Sequence, residues 1–238
     1  MYICSQKKGH KCSLFAADDF LLYQKTQHQA FLPPESDMII SLGGDGAVLR
    51  AAQTAIAADK PLLGINSGRL GYLCAMSFSD LELFDEKLSE CCCTKRNLLE
   101  ITTDEKTHLA VNDVLIAKKY YGETVDININ VEKYGEIGFR GDGVVIATPT
   151  GSTAYNLSAG GPVLAIDSGV FAVTPICPHM SSAKPIVIRD DRELRISSAK
   201  NKVGVYTDGC FCGSIPEQLT IKKSKCSLQI YSEKVQDD

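Results

Sequence analysis

The pattern of apolar residues changes near residue 97, and this change constrains the fold more than any other feature of the chain. Before it, continuous apolar runs such as DMIISL (37–42) and PLLGI (61–65) alternate with helix-forming stretches. Continuous apolar strands between helices are typical of a buried parallel sheet. After it, several stretches alternate polar and apolar residues, as expected of antiparallel strands with one solvated face: DININVE (126–132), ELRISS (193–198) and VGVYT (203–207).

We therefore predict two domains. An α/β domain with a parallel sheet is expected over residues 1–97, and a β-rich, antiparallel, sandwich-like domain over 98–223. The tail, 224–238, is expected to return and complete the first domain. Helices are predicted in the first domain over 18–31, 47–58 and 79–92, and a capping box is predicted from Ser79 to Glu82.

Composition excludes several classes of protein. The chain has 238 residues, 44% of them hydrophobic, and a net charge of −4, so neither a nucleic-acid footprint nor a basic membrane face is indicated. No apolar run is long enough to span a membrane, and no signal peptide is predicted. Ten cysteines are too few for a disulfide scaffold, and Cys210 and Cys212 lack the partners of a zinc site. We expect a cytoplasmic protein with no dedicated metal site and no nucleic-acid or membrane partner.

A glycine-rich turn with one carboxylate follows the first apolar strand, in MIISLGGDGAVLRAAQ (38–53). Gly43 and Gly44 stand at the carboxyl end of that strand and before a helix, where open α/β sheets bind ligands and where phosphate can approach the backbone. Asp45 could take a proton from a hydroxyl group that attacks a phosphate. It could equally cap the helix that starts at residue 47.

Two further stretches carry candidate binding residues. Residues 139–164 form a strand, a turn and a short helix with many hydroxyl groups and one tyrosine, a set that suits a nucleoside with its phosphates. Asn112 and Asp113 interrupt the apolar stretch 108–118, and at least one should face packed material unless the strand bends there. A turn backbone or a pair of ribose hydroxyls would serve as its partner.

These motifs together resemble those of the NAD kinases, in the same order from about residue 38 to 210. The resemblance is carried by the following stretches: GGDG (43–46), GINSGRLGYL (64–73), ND (112–113), GDGVVIATPTGSTAYNLSAGGP (141–162), TPICPH (174–179) and DG (208–209). GGDG alone also occurs in diacylglycerol kinases and phosphofructokinases, whereas the block 141–162 is specific.

The resemblance implies phosphorylation of the 2′-hydroxyl of the adenosine ribose of NAD by ATP, or by polyphosphate, to give NADP. Asp45 would be the catalytic base, with Gly46 beside it. Asn112 and Asp113 would hold the adenine-side ribose and the pyrophosphate region, and Asp142 would reach the nicotinamide half. The remaining implied binding residues are Arg140, Thr150, Thr153, Ala154, Tyr155, Asn156, Leu157, Ser158 and Cys177. Arg50 could meet a phosphate or be an ordinary exposed arginine.

The resemblance also implies partners, and the chain departs from it at a few positions. A divalent cation, Mg²⁺, is expected to arrive with ATP, and a homodimer or homotetramer is expected. Ala47 replaces a usual threonine, Asp113 a usual glutamate, and Cys210 a common glutamine. His179 is either a catalytic helper or a structural histidine. The alternatives to an NAD kinase are a lipid kinase of the diacylglycerol type and a non-catalytic dinucleotide sensor.

Overall fold

The chain forms two compact units in the computed structural model, which describes residues 6–7, 10–16, 36–68, 71–103, 106–179, 183–198, 202–215 and 218–233. The first unit comprises Met1–Arg96 with Ser227–Asp238, and the second comprises Asn97–Cys226. The helix predicted over 18–31 lies outside the described residues. No helix in the described part of the chain is both long and apolar enough to cross a membrane.

The first unit contains a sheet of mainly parallel strands, as the apolar runs predicted, and only its first strand pairs antiparallel with the second among the described residues of this part of the sheet. Its strands are β1 (Gln6–Lys7), β2 (His10–Ala16), β3 (Met38–Leu42), β4 (Leu62–Asn66) and β5 (Met76–Ser77). Strand β3 runs parallel to both β2 and β4, with Ile39 opposite Leu62, and β5 runs parallel to β4. Ile230 of the last strand pairs with Leu62 in parallel orientation.

Helix α1 (Asp45–Ala58) connects β3 to β4 and covers the sheet with small side chains. Its buried residues recur at helical spacing: Ala47, Val48, Ala51, Ala52 and Ala55. The helix ends at Asp59, which adopts the left-handed conformation with φ 50° and donates its backbone N–H to Ile56 O. The predicted helix over 47–58 is confirmed, and it begins two residues earlier.

The helix predicted over 79–92 is wrong in its bounds. A 3₁₀ segment (Phe78–Leu83) is followed by α2 (Phe84–Glu90), and Cys91 is already the first residue of strand β6 (Cys91–Thr103). Strand pairing replaces the end of the predicted helix, because β6 pairs with the last strand of the chain. Thr94 Oγ1 also donates to Ile230 O of that strand, at 3.3 Å. The predicted capping box is also misplaced, because the chain turns earlier and Ser77 and Asp80 form it.

The second unit is built from antiparallel strands. After β6 they are β7 (Lys106–Ala110), β8 (Asp113–Lys118), β9 (Val125–Val131), β10 (Gly135–Gly141), β11 (Gly143–Ala147), β12 (Val170–Ile176), β13 (Ile186–Arg189), β14 (Leu194–Ser198), β15 (Val203–Thr207), β16 (Cys210–Ser214) and β17 (Leu219–Glu233). A 3₁₀ turn (Thr150–Thr153) and the short helix α3 (Tyr155–Ser158) follow β11. One sheet has the order β13-β12-β11-β8-β15-β16.

A second antiparallel group, in which β9 lies between β10 and β14, packs its apolar face into the same core. Along β9 buried and exposed residues alternate strictly, as predicted. Strand β15 differs, because Gly204 is buried although it lies on the predicted solvated face. The reason is an aromatic pair: Tyr206 and Phe211 lie so close to Gly204 that a Cβ there would be 2.9 Å from the Tyr206 ring. The predicted fold class, parallel α/β followed by antiparallel β, is confirmed.

Candidate functional site

The Asp45 carboxylate is the central feature of the candidate site in the first unit. Asp45 is the first residue of α1, directly after the glycine turn that ends β3. Its Oδ2 accepts the backbone N–H of Tyr72 and its Oδ1 that of Leu73, both at 3.0 Å. The carboxylate therefore bonds to a separate segment of the chain and does not cap its own helix.

Three other side chains or backbone positions of the first unit lie close to Asp45. Gly46 is exposed. The Arg50 guanidinium lies next to it, at a distance of 3.5 Å between Arg50 Nη1 and the place that a Cβ on Gly46 would occupy. The Cys74 thiol donates to Gly43 O at 3.4 Å. Burial, and secondarily the charge of Asp45, raises the pKa of Cys74 to about 11, so this thiol is protonated at neutral pH.

In the second unit, the chain bends at Asn112 between strands β7 and β8, and a half-buried aspartate, Asp208, fixes the bend. Asp208 accepts the backbone N–H groups of Val111, Asn112 and Asp113 at 2.8, 2.7 and 3.2 Å. It lies in the left-handed conformation, φ 48°, at the turn between β15 and β16. The apolar stretch 108–118 therefore bends, which is the alternative that its polar pair left open, and it belongs to two strands, β7 and β8.

The residues that directly follow strand β11 contact the other side of this bend. Thr148 Oγ1 donates to Val111 O at 2.6 Å, and the Thr148 N–H donates to Asn112 O at 2.9 Å. A Cβ on Gly151 would be 2.1 Å from Asn112 O, so the 3₁₀ turn approaches the bend closely. Asn112 Oδ1 is buried and has no hydrogen-bond partner in the described part of the chain. This oxygen is an acceptor aimed at no protein group, which suits a ligand hydroxyl.

The carboxyl groups of Asp113 and Asp208 share this region, and the charge of Asp208 affects the pKa of Asp113. Burial, and secondarily the charge of Asp208, raises the pKa of Asp113 to about 7. Burial also raises the pKa of Asp208, although its three backbone N–H donors act in the opposite direction. Asp113 therefore titrates near neutral pH, where its carboxyl group can act as a hydrogen-bond donor or as an acceptor.

The raised pKa of Asp113 predicts a pH dependence of stability. The neutral carboxyl favours the folded state; this contribution is complete below about pH 4 and is lost as the pH rises through about 7. Relative to Asp113→Asn, the wild-type free energy of unfolding should fall by up to about 1.4 kcal/mol per pH unit in that window. Urea denaturation at pH 4 to 8 measures it.

Asp126→Asn is the matched control for this measurement. The Asp126 carboxyl is fully exposed, and its hydrogen bonds from Arg140 lower its pKa, so its own contribution changes at acid pH only. It should leave the slope between pH 5 and 7 unchanged. Parallel curves for wild type and Asp113→Asn across that range would contradict the predicted protonation of Asp113.

The strand, turn and short helix predicted within residues 139–164 are present over 143–158, and Asn156 holds them together. Asn156 is fully buried, donates from Nδ2 to Ser152 O and Pro162 O, and accepts at Oδ1 from Thr174 Oγ1. Its side chain is engaged within the protein, so a ligand-binding role for that side chain is not supported. Gly160, with φ 84°, follows the end of this helix in the left-handed conformation that favours glycine.

The other predicted binding residues within 150–158 are exposed or half-buried. Tyr155 is 45% exposed, and Leu157 and Ser158 are also exposed, whereas Thr150, Thr153 and Ala154 are half-buried. They stand next to the bend, because Thr148 and Gly151 contact residues 111–112. The structure thus brings this group together with Asn112 and Asp113.

The structure does not bring Arg140, Asp142 or Cys177 to that bend. Asp142 precedes β11, whereas the turn follows it, so the two ends lie roughly 20 Å apart at the rise of a strand. The three residues form a separate corner: Asp142 N donates to Ile176 O, and Asp142 pairs with Lys118 Nζ at 2.7 Å. Arg140 is exposed and paired with Asp126, and Cys177 is exposed.

Sequence reasoning missed several residues that build these groups. Asp208 was noticed only as part of a DG pair, although its position after an apolar strand was a usable signal. Lys118 and Cys74 lie in no recognisable pattern, and Gly71 and Thr148 stand out only as members of the motif stretches 64–73 and 141–162. The partner of each is distant in sequence. No group of three or more His, Cys, Asp or Glu side chains that could hold a metal ion occurs among the described residues.

Family models cover most of the chain. The ATP-NAD kinase N-terminal domain matches residues 4–92, and the ATP-NAD kinase C-terminal domain matches residues 111–231. The NAD kinase of Caldicellulosiruptor saccharolyticus is 35% identical over 198 residues, 82% of this chain and 76% of that protein. The NAD kinase of Chlorobium limicola is 38% identical over 213 residues, 84% of this chain and 73% of that protein.

Two solved structures are similar to this chain. An NAD kinase from Archaeoglobus fulgidus in complex with ATP has a TM-score of 0.74 and 25% identity, with 93% of each chain covered. Yeast NADH kinase complexed with NADH has a TM-score of 0.75, covering 93% of this chain and 74% of that one. At 22% identity, the yeast structure bears on the fold alone.

Proposed function

The chain belongs to the NAD kinase family and is an enzyme that phosphorylates NAD; from this premise we propose that it transfers the γ-phosphoryl group of ATP to the 2′-hydroxyl of the adenosine ribose, giving NADP. The new bond joins the ribose oxygen to phosphorus, and the bond between phosphorus and the β,γ-bridging oxygen breaks, releasing ADP. The hydroxyl proton goes to Asp45 as general base.

The single observation that carries the base assignment is the fixed Asp45 carboxylate after the glycine turn. Two backbone N–H groups orient it, one on each oxygen at 3.0 Å, and each oxygen keeps a lone pair for a proton. Phosphoryl transfer depends on alignment more than on covalent chemistry, so an oriented acceptor is the contribution expected of the protein.

Mg²⁺ is proposed to enter as part of the second substrate, Mg·ATP. A hard cation of this kind binds phosphate oxygens and keeps several waters, and therefore needs no dedicated all-protein cage. Gly46 is exposed at the start of α1, where backbone N–H groups favour anions, and Arg50 lies over it. We assign these two residues to the phosphates.

Asn112, Asp113 and the turn over 150–158 are proposed to bind the adenosine half of NAD. The unpartnered Asn112 Oδ1 supports contact with a ribose hydroxyl. The exposed ring of Tyr155 and the hydroxyl groups of Ser158 and Thr153 support contact with the adenine. Thr150, Ala154 and Leu157 complete this surface, whereas Asn156 contributes through its backbone. Arg140, Asp142 and Cys177 are assigned to the nicotinamide half as a separate group.

The test is direct identification of the product. The purified chain is incubated with NAD, ATP and Mg²⁺, and the product is offered to a dehydrogenase that accepts NADP but not NAD. We expect reduction of the product and a ³¹P resonance of a 2′-phosphomonoester. A phosphate on another hydroxyl group would refute the 2′ assignment. Parallel reactions with NADH and with polyphosphate determine the acceptor and donor range.

Location and assembly complete the proposal. The eight cysteines whose side chains the structure describes are free thiols, which supports a reducing compartment such as the cytoplasm. We propose a homodimer or homotetramer, in which exposed apolar side chains of the second unit, such as Val163 at 60% and Val187 at 49%, would be covered. Light scattering at micromolar concentration measures the assembly, and a monomer would contradict it.

A further inference from the structure

The segment 71–73 surrounds the Asp45 carboxylate in a way that depends on one missing side chain. Successive N–H groups of Tyr72 and Leu73 bind the two oxygens of this carboxylate, both at 3.0 Å. Gly71 lies against the same group: a Cβ there would be 2.1 Å from Asp45 Oδ1 and 2.6 Å from Asp45 Cγ. Any side chain at position 71 would occupy the place of the carboxylate.

Backbone conformation does not require glycine at this position. Gly71 is not one of the glycines with a left-handed φ angle, so an alanine can adopt its conformation without strain. The space next to Asp45 is therefore what excludes a side chain. This separates Gly71 from glycines such as Gly43, whose φ of 143° restricts the residue type by itself.

The segment is also fixed on its other side, so it can hold the carboxylate in place. A Cβ on Gly64 would be 2.8 Å from Leu73 O and 3.1 Å from Cys74 Cα, which shows how closely the segment approaches β4. Ala75 N donates to Gly64 O at 3.0 Å, and the Leu73 side chain is buried. The segment 71–73 therefore cannot move outward to make room for a side chain at position 71 without breaking these contacts.

We propose that Gly71 is a positioning residue for Asp45: its missing side chain lets two backbone N–H groups fix the orientation of the base. This inference rests on the proposed role of Asp45. A side chain at 71 turns the carboxylate away from the segment, and a displacement of about 1 Å in a catalytic group can lower turnover by about 10²-fold.

The first test is steady-state kinetics of Gly71→Ala with NAD and Mg·ATP. We expect kcat to fall by at least about 10-fold while KM for both substrates stays within about threefold, because only the oriented base is disturbed. Gly68→Ala is the matched control, since a Cβ there meets only Asn66 Oδ1, at 4.0 Å. It should keep kcat within about twofold. A wild-type kcat for Gly71→Ala, or a loss confined to KM, would overturn the proposal.

A double-mutant cycle with Asp45→Ala separates positioning from a general loss of structure. In the wild-type background Gly71→Ala should lower Tm by at least about 3 °C. In the Asp45→Ala background it should change neither Tm nor the residual turnover, because the carboxylate that it would strike is absent. Additive effects on Tm or on turnover would overturn the proposal. An inactive wild-type chain would refute the proposed function instead. The non-additive effects on Tm would still test the contact between position 71 and the Asp45 carboxylate.

Discussion

Asp45→Asn is expected to lower kcat for NAD phosphorylation by at least about 10²-fold while KM for NAD stays within a few fold. The substitution removes the group that accepts the ribose proton but keeps nearly the same volume. It also places an amide NH₂ opposite one of the two backbone N–H donors, of Tyr72 or Leu73. That lost hydrogen bond costs about 1 kcal/mol of stability, which does not unfold the unit.

Asp59→Asn is the matched control at the other end of the same helix. Asp59 adopts the left-handed conformation with φ 50°, which asparagine tolerates, and it accepts a weak hydrogen bond from Gln229 at 3.4 Å. Turnover and KM should both remain close to wild type. Near-normal turnover of Asp45→Asn with unchanged NAD binding would remove Asp45 from the role of base.

Asp208→Asn is expected to raise KM for NAD at least about 10-fold and to destabilise the chain by about 2–4 kcal/mol. Asparagine keeps the left-handed backbone of this turn, but its amide has one oxygen where the carboxylate uses both to accept three N–H groups. At least one buried donor among residues 111–113 loses its partner. The bend that presents Asn112 and Asp113 should relax as a result.

Asp190→Asn controls for destabilisation that is unrelated to the site. Asp190 is a buried carboxylate of the second unit, and it accepts from Asn97 Nδ2 at 2.9 Å and from Lys223 Nζ at 2.7 Å. It should lower stability while leaving KM for NAD within about twofold. Equal KM values for Asp190→Asn and Asp208→Asn would show that Asp208 does not act through the bend.

Asp208→Asn also has an electrostatic consequence at Asp113. The charge of Asp208 is the second cause of the raised pKa of Asp113, after burial. Removing that charge should lower the pKa of Asp113 towards its ordinary value. The loss of stability between pH 4 and 7 should therefore be smaller in Asp208→Asn than in the wild type, in the same denaturation experiment.

Local pattern was sufficient for much of the fold. The continuous apolar run 38–42 and the alternating run 126–132 are strands of the predicted kinds, and the alanine-rich stretch is a helix. Pattern failed where a distant partner decided the outcome. Cys91 and Cys92 continue a helical stretch in sequence but form part of a strand, because the last strand of the chain pairs with β6.

The amino-acid sequence by itself determined the two classes of sheet, the glycine turn that presents Asp45, and the family, because these depend on residue types at short spacing. Tertiary structure alone decided what holds the functional side chains. Asp45 is bound 27 residues away at Tyr72, and the Asn112 bend is tied to Asp208, 97 residues beyond Val111. Hydrogen bonds of this kind leave no periodic trace, since one carboxylate and a few backbone N–H groups are compatible with almost any neighbouring sequence.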